Sequence, residues 1–199
     1  MKKTLLVLGA LAAFSLGATA ENVGDTISTT DLKYRVIAAN AVEVLDEVDS
    51  KTTSYTIPSM VTGTDGKTYT VTAIGEYAFR WSNATSVVLP STITEIKDNA
   101  FASSSIATIN LPEGLKKIGS NAFLSCSGIK SIDIPASVDS IGNSAFFGTS
   151  WKEDATSLTL HEGLKYIGQS AFYSQDFTSV EIPSSVEEIA GKAFLFNKK

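Results

Sequence analysis

The sequence predicts a repeat solenoid, on three observations: one block recurs along most of the 199 residues, its length varies at a single place, and its apolar positions alternate as strands do. The block is clearest from Leu111 to Phe123, LPEGLKKIGSNAF. Aligned on its Ala-Phe pair, copies end at Phe79, Phe101, Phe123, Phe146, Phe172 and Phe194, at steps of 22, 22, 23, 26 and 22 residues. Self-similarity at such a period marks a supersecondary unit that buries its apolar face only by stacking on its neighbours.

The elements follow in chain order. Residues 1–20 read as a secretory leader: Lys2 and Lys3 precede an apolar run from Leu5 to Gly17, and Ala18-Thr19-Ala20 supplies a small-residue end. Cleavage is expected after Ala20. The run is too short for a membrane anchor, which needs ~20 apolar residues, and no cysteine follows it that could carry a lipid.

Residues 21–54 are expected to form a polar leader followed by a β-hairpin cap. Leu32 to Val36 and Val42 to Val44 alternate apolar and polar on either side of Ala39-Asn40, the pattern of two strands and a turn. Asp46 to Ser50 reads as a solvated acidic loop. Residues 55–199 are the solenoid of about six coils. It opens irregularly: Ile74 follows Ile57 by seventeen residues where later coils use seven. The extra residues include Asp65-Gly66, the centre of a second hairpin turn. Both hairpins are expected to cover the apolar N-terminal end, as repeat stacks require for solubility.

In the regular coils the strand positions are Val87-Val88-Leu89, Ile109-Asn110-Leu111, Ile132-Asp133-Ile134, Leu158-Thr159-Leu160 and Val180-Glu181-Ile182. The outer residues of each triplet face inward and the middle one outward. Pro90, Pro112, Pro135 and Pro183 end the strands by removing an N–H donor. An isoleucine always follows seven residues after the last strand position (Ile96, Ile118, Ile141, Ile167, Ile189), and the Ala of the Ala-Phe pair four after that. All length variation therefore falls between Ala-Phe and the next strand, the longest insertion running from Gly148 to Thr156. The six phenylalanines are expected to stack as a column, each beside a tight corner at its alanine. Gly75, Gly119, Gly142 and Gly168 follow the isoleucine, but Lys97 and Ala190 hold the same place elsewhere, so positive φ is not required there. At the C-terminal end Leu195 and Phe196 are expected to form a minimal cap on a monomer, the alternative being pairing with another chain.

Net charge is −5, and losing Lys2 and Lys3 with the leader makes the chain more acidic. Such a surface speaks against nucleic acid and anionic lipid as partners. Cys126 is the only cysteine, so no internal disulfide forms, and its place just after Phe123 suits a buried thiol. His161 is the only histidine. With no second His, Cys pair or acidic cluster beside it, no metal or other cofactor is expected and no enzyme is predicted. Asp133 and Glu181, two coils and ~9.6 Å apart on one column, exceed the ~5 Å of a retaining glycosidase pair and stand near the upper end for an inverting one, with no cleft expected between them.

The pattern Leu-Pro-x-x-Leu-x-x-Ile-Gly-x-x-Ala-Phe, found from about Tyr55 to Phe196, resembles the BspA-like, or treponemal-type, leucine-rich repeats of bacterial surface proteins. The resemblance implies a right-handed leucine-rich-repeat arc with a parallel β-sheet on one face and short helical or irregular turns on the other. It also implies surface adhesion or binding of host proteins. Asp25-Thr26-Ile27 and Asp139-Ser140-Ile141 resemble the Asp-Ser/Thr-apolar pattern that some gut anaerobes O-glycosylate.

Solenoids bind through exposed ladders, which gives two candidate surfaces. The first is the strand face: the outward column Val88, Asn110, Asp133, Thr159 and Glu181, beside a hydroxyl column of Ser86, Thr108, Ser131, Ser157 and Ser179. Such groups can hydrogen-bond a sugar or a polar protein surface; equally, Ser and Thr simply suit solvent-facing strands. The second is an aromatic platform of Trp81, Trp151 and Tyr173 in the segments after Ala-Phe, where aromatics can also serve as core filler. The expected function is that of an exported protein, periplasmic, cell-surface or secreted, that recognises a protein or glycan at the envelope or beyond. A structural envelope scaffold without a soluble ligand is the alternative, and a hydrolase a remote one.

Overall fold

A computed structural model describes residues 22–149, 157–175, 177 and 179–197 of the chain. The strands in order are β1 (Thr26–Ser28), β2 (Leu32–Ala38), β3 (Ala41–Glu47), β4 (Ser54–Thr56), β5 (Met60–Thr62), β6 (Thr68–Ile74), β7 (Ser86–Val88), β8 (Glu95–Ile96), β9 (Thr108–Ile109) and β10 (Lys117–Ile118). They continue with β11 (Ser140–Ile141), β12 (Ser157–Thr159), β13 (Tyr166–Ile167), β14 (Ser179–Glu181) and β15 (Glu188–Ile189).

The longest sheet runs through the isoleucines seven residues after each strand triplet. Its order is β1-β2-β3-β6-β8-β10-β11-β13-β15, with β5 paired to β6. From β3 onward this path is parallel, as a ladder of coils wound in one direction must be. β1, β2 and β3 are antiparallel, and β5 pairs antiparallel with β6 around Gly66, whose φ of 77° the turn needs. The strand triplets form a second, interrupted ladder, β4-β7-β9 and then β12-β14.

One expectation is corrected by the structure, and another, helical or irregular turns, is narrowed to irregular ones. No strand forms over Ser131 to Asp133. The break falls where the interval from Ala122 to Ile134 is one residue longer than the one before it, from Ala100 to Leu111. Nor is any helix present among the described residues. The reason lies in the corners. The residue two before each phenylalanine (Tyr77, Asn99, Asn121, Ser144, Ser170, Lys192) has φ between 53° and 65°. The residue two after it (Trp81, Ser103, Ser125, Gly148, Ser174, Phe196) has φ between 57° and 73°. A right-handed helix cannot pass through two left-handed residues four apart. Instead the corner donates hydrogen bonds along the stack: Phe101 N to Ala122 O at 2.8 Å, and Ser103 N to Leu124 O at 2.7 Å. The turn face is thereby a backbone ladder too, and its amides are satisfied without a helix.

The column of phenylalanines runs through the core. Phe79, Phe101, Phe123, Phe146, Phe172 and Phe194 stack with centroids 5.1 to 5.4 Å apart and rings within 10° of parallel, and Tyr55 closes its N-terminal end edge-on at 5.3 Å. The neighbouring Ala78, Ala100, Ala122, Ala145, Ala171 and Ala193 are all buried, since each corner lies on the next. Cys126 is buried and donates from Sγ to Phe101 O at 2.9 Å. Burial pushes its pKa up to about 11, so it is an inert core thiol.

Glycine after the isoleucine serves close approach. A Cβ on Gly119 would come within 2.6 Å of Asp98 N, and one on Gly142 within 2.6 Å of Gly119 C. Lys97 breaks the glycine pattern for a specific partner. Its ammonium reaches Glu43, a fully buried carboxylate on β3 that also accepts from Arg35 Nε at 2.7 Å.

Candidate binding faces

The strand face is laid out as its alternation requires, yet it is not one surface. Val88, Thr108, Asn110, Ser131, Asp133, Thr159, Ser179 and Glu181 are exposed, while Ser86 is half-buried. The side chain of Ser157 lies outside the described residues. The break at Ser131 to Asp133 separates the β7–β9 part of the column from the β12–β14 part. Asn110 is also committed: Leu89 N donates to its Oδ1 at 2.8 Å and its Nδ2 donates to Leu89 O at 3.0 Å. Its amide continues the ladder sideways where the backbone of β9 stops, leaving little of it for a ligand.

The aromatic candidates separate into two groups. Trp81 is 67% exposed, with the Arg80 guanidinium 3.9 Å from its ring centroid and 5.2 Å from that of Tyr77. Tyr173 stacks on Phe147 at 4.7 Å and meets Phe196 edge-on at 5.2 Å. Between them the same columns carry Ala102, Ser103, Leu124 and Ser125, so Trp81 and Tyr173 do not share a platform. Trp151 lies outside the described residues. His161 is half-buried at a turn, and among the described residues no group of three or more His, Cys, Asp or Glu could hold a metal.

A third surface was not singled out from the sequence. On the long ladder, the outward positions Glu95, Lys117, Ser140, Tyr166 and Glu188 form one column, and Asp98, Ser120, Asn143 and Gln169 form another three residues further on. Where the residue after the isoleucine is glycine, nothing rises between the columns. The result is a groove of about 270 Å³ lined by Asp98, Lys117, Ser120, Ser140, Asn143 and Tyr166 over Gly119 and Gly142. Its polar groups are held from below: Asp98 Oδ1 accepts from Ser120 N at 2.8 Å, and Asn143 Oδ1 from Gln169 N at 2.8 Å. Lys117 is paired with Glu95 at 3.0 Å, which raises its pKa. Three successive Ile-Gly pairs were the available signal, but they bear on the surface only once the two-residue strands beside them are known. Ser140, noted above for its sequence context, is half-buried on this ladder.

The family model described as BspA type leucine rich repeat region matches residues 72–199 in six copies. A leucine-rich repeat protein from Bacteroides ovatus superposes with a TM-score of 0.76 at 31% identity, over 86% of this chain and 45% of its own. The chain thus spans less than half of that relative. A T. pallidum leucine-rich repeat protein gives 0.68 at 24% identity, over 80% of this chain and 72% of that one. The pneumococcal vaccine antigen PcpA gives 0.60 at 22% identity, over 83% and 51%. The last two show likeness of fold alone. No curated protein matches the sequence. Among the described residues no helix is long and apolar enough to cross a membrane.

Proposed function

The chain belongs to the BspA-type leucine-rich repeat family, and from that premise we propose that it is an exported binding protein that recognises a protein or glycan at the cell envelope or outside the cell. Residues 1–20 are its cleaved leader. In this reading the hairpin of β2 and β3 caps the N-terminal edge of the coil stack, its own Leu32, Tyr34, Val36, Val42 and Val44 being buried.

One observation carries the binding reading. The inner coils close their core, the Cys126 thiol included, while presenting polar side chains on successive coils, some with hydrogen-bonding atoms that no other described residue uses. Repetition of that kind suits a ligand contacted over several coils. The test is surface plasmon resonance of residues 21–199 against immobilised glycans and against purified extracellular proteins of the producing organism's habitat. Saturable binding to either supports the reading, and binding to neither opposes it.

A specific observation favours assembly as a second reading. Ile182, Ile189, Leu195 and Phe196 are 40%, 44%, 41% and 51% exposed on the last coil, so Leu195 and Phe196 cover that edge only in part. In this reading copies of the chain associate through that edge as an envelope scaffold. Light scattering at micromolar concentration separates the two: a monomer favours the soluble binder with its minimal cap, a defined oligomer the scaffold.

A further inference from the structure

We propose that the groove over Gly119 and Gly142 is a binding site for one neutral sugar ring, the terminal unit of a glycan, with Tyr166 as its stacking wall; this rests on the binding reading and names its ligand class and its place.

Size sets the first limit. At about 270 Å³ the groove lies just below the ~300 Å³ at which small-molecule sites begin, enough for one ring and too short for an extended peptide. Charge sets the second. The ammonium of Lys117 is paired with Glu95, and the carboxylate of Asp98 stands at the same end. A phosphate or carboxylate ligand would find no free cation there and would meet a like charge. What remains is a mixed set of donors and acceptors, the Asp98 carboxylate among them. Among the described residues the hydroxyls of Ser120 and Ser140 have no partner, Asn143 uses only Oδ1, and Asp98 only Oδ1 in hydrogen bonding. Asn143 Nδ2, Asp98 Oδ2 and two hydroxyls are thus available to adjacent sugar hydroxyls, which both donate and accept.

The apolar face of a pyranose needs a flat partner, and Tyr166 supplies it. The ring is half-buried in the groove wall, with its hydroxyl 3.4 Å from Asn143 Oδ1. Both Asp98 and Asn143 are anchored to the backbone of the next coil. The site therefore loses little side-chain freedom on binding, which favours affinity in a shallow groove.

The experiment uses residues 21–199 on an array of immobilised neutral oligosaccharides, followed by titration with the methyl glycoside of the terminal unit of any hit. Tyr166→Ala is expected to weaken binding about tenfold or more, the equivalent of ~1.4 kcal/mol. Tyr166→Phe, which keeps the ring, is expected to retain it, and Ser140→Ala to weaken it several-fold with an unchanged melting temperature. Hits unaffected by Tyr166→Ala and Ser140→Ala but lost with Thr159→Ala or Glu181→Ala would overturn this site and leave the binding reading standing. An array without any neutral hit would overturn the proposal as well, and the protein arm of the plasmon experiment then decides the broader reading on its own.

Discussion

Lys97 Nζ lies 2.6 Å from Glu43 Oε2, joining the third-strand carboxylate of the N-terminal ribbon to the first regular coil. Glu43 is fully buried, and no hydrogen bond is aligned on Oε2, so the contact is Coulombic and the carboxylate depends on it and on Arg35. Removing one partner of a buried charge costs more than the pair contributes, because the other is left unpaired. The exception to glycine at residue 97 is thereby explained by what its side chain reaches. Lys97→Gly, which places there the residue of four other coils, is expected to destabilise the protein by about 1–3 kcal/mol in urea unfolding. An unchanged midpoint would show that the pair contributes nothing.

The aromatic column predicts a gradient. Phe123 is fully buried between two stacked rings, whereas Phe194 is only partly buried and has one such neighbour in the column. Phe123→Ala is expected to cost about 3–5 kcal/mol, and Phe194→Ala clearly less. Equal losses would mean that the C-terminal coil is covered by something else.

Two glycines separate close approach from backbone freedom. Neither Gly142 nor Gly191 has positive φ, but a Cβ on Gly142 meets Ser120 N at 2.5 Å while one on Gly191 meets nothing within 4 Å. Gly142→Ala must push coils apart and is expected to cost about 1–3 kcal/mol, as overpacking does. Gly191→Ala is expected to be neutral or slightly stabilising. Thermal melts of the two variants decide it.

The repeat period and its Ala-Phe pair made the solenoid and the phenylalanine column legible, because one ring per coil at fixed spacing can hardly face anywhere but inward. The long ladder was hidden: Glu95-Ile96 and its counterparts have one inward residue each, too few to show alternation. Asn99, Asn121, Ser103 and Ser125 hinted at left-handed corners, since short polar residues tolerate that conformation. Tyr77, Trp81, Lys192 and Phe196, at equivalent positions, obscured the hint. On the strand face exposure was readable from alternation, but the engagement of Asn110 with Leu89 was not, because it depends on where the neighbouring backbone stops. The groove was not legible because what Gly119 and Gly142 leave open depends on the side chains that neighbouring coils set beside them.

Alkaline stability follows from three buried protons. Burial pushes Cys126 up to about 11 and, chiefly, Tyr34 and Tyr55 up to about 12, from ordinary values of 9.0 and 10.0; nearby charge on Asp31 and Glu47 adds to the two tyrosines. The folded chain holds protons that the unfolded chain releases, so the stabilisation is complete below about pH 9 and is lost as pH rises through 11 and 12. Urea midpoints measured from pH 8 to 11.5 are expected to fall progressively. Cys126→Ala should flatten the decline between 9 and 11. A midpoint independent of pH would contradict the burial of these groups.

The central claim, an exported binder, is tested most directly by protease digestion of intact producing cells and of cells opened in stages. Digestion, or release into the medium, before the cytoplasmic membrane is breached is the result expected. Protection until that membrane is opened, with residues 1–20 still attached, would contradict export and with it the recognition of an external ligand.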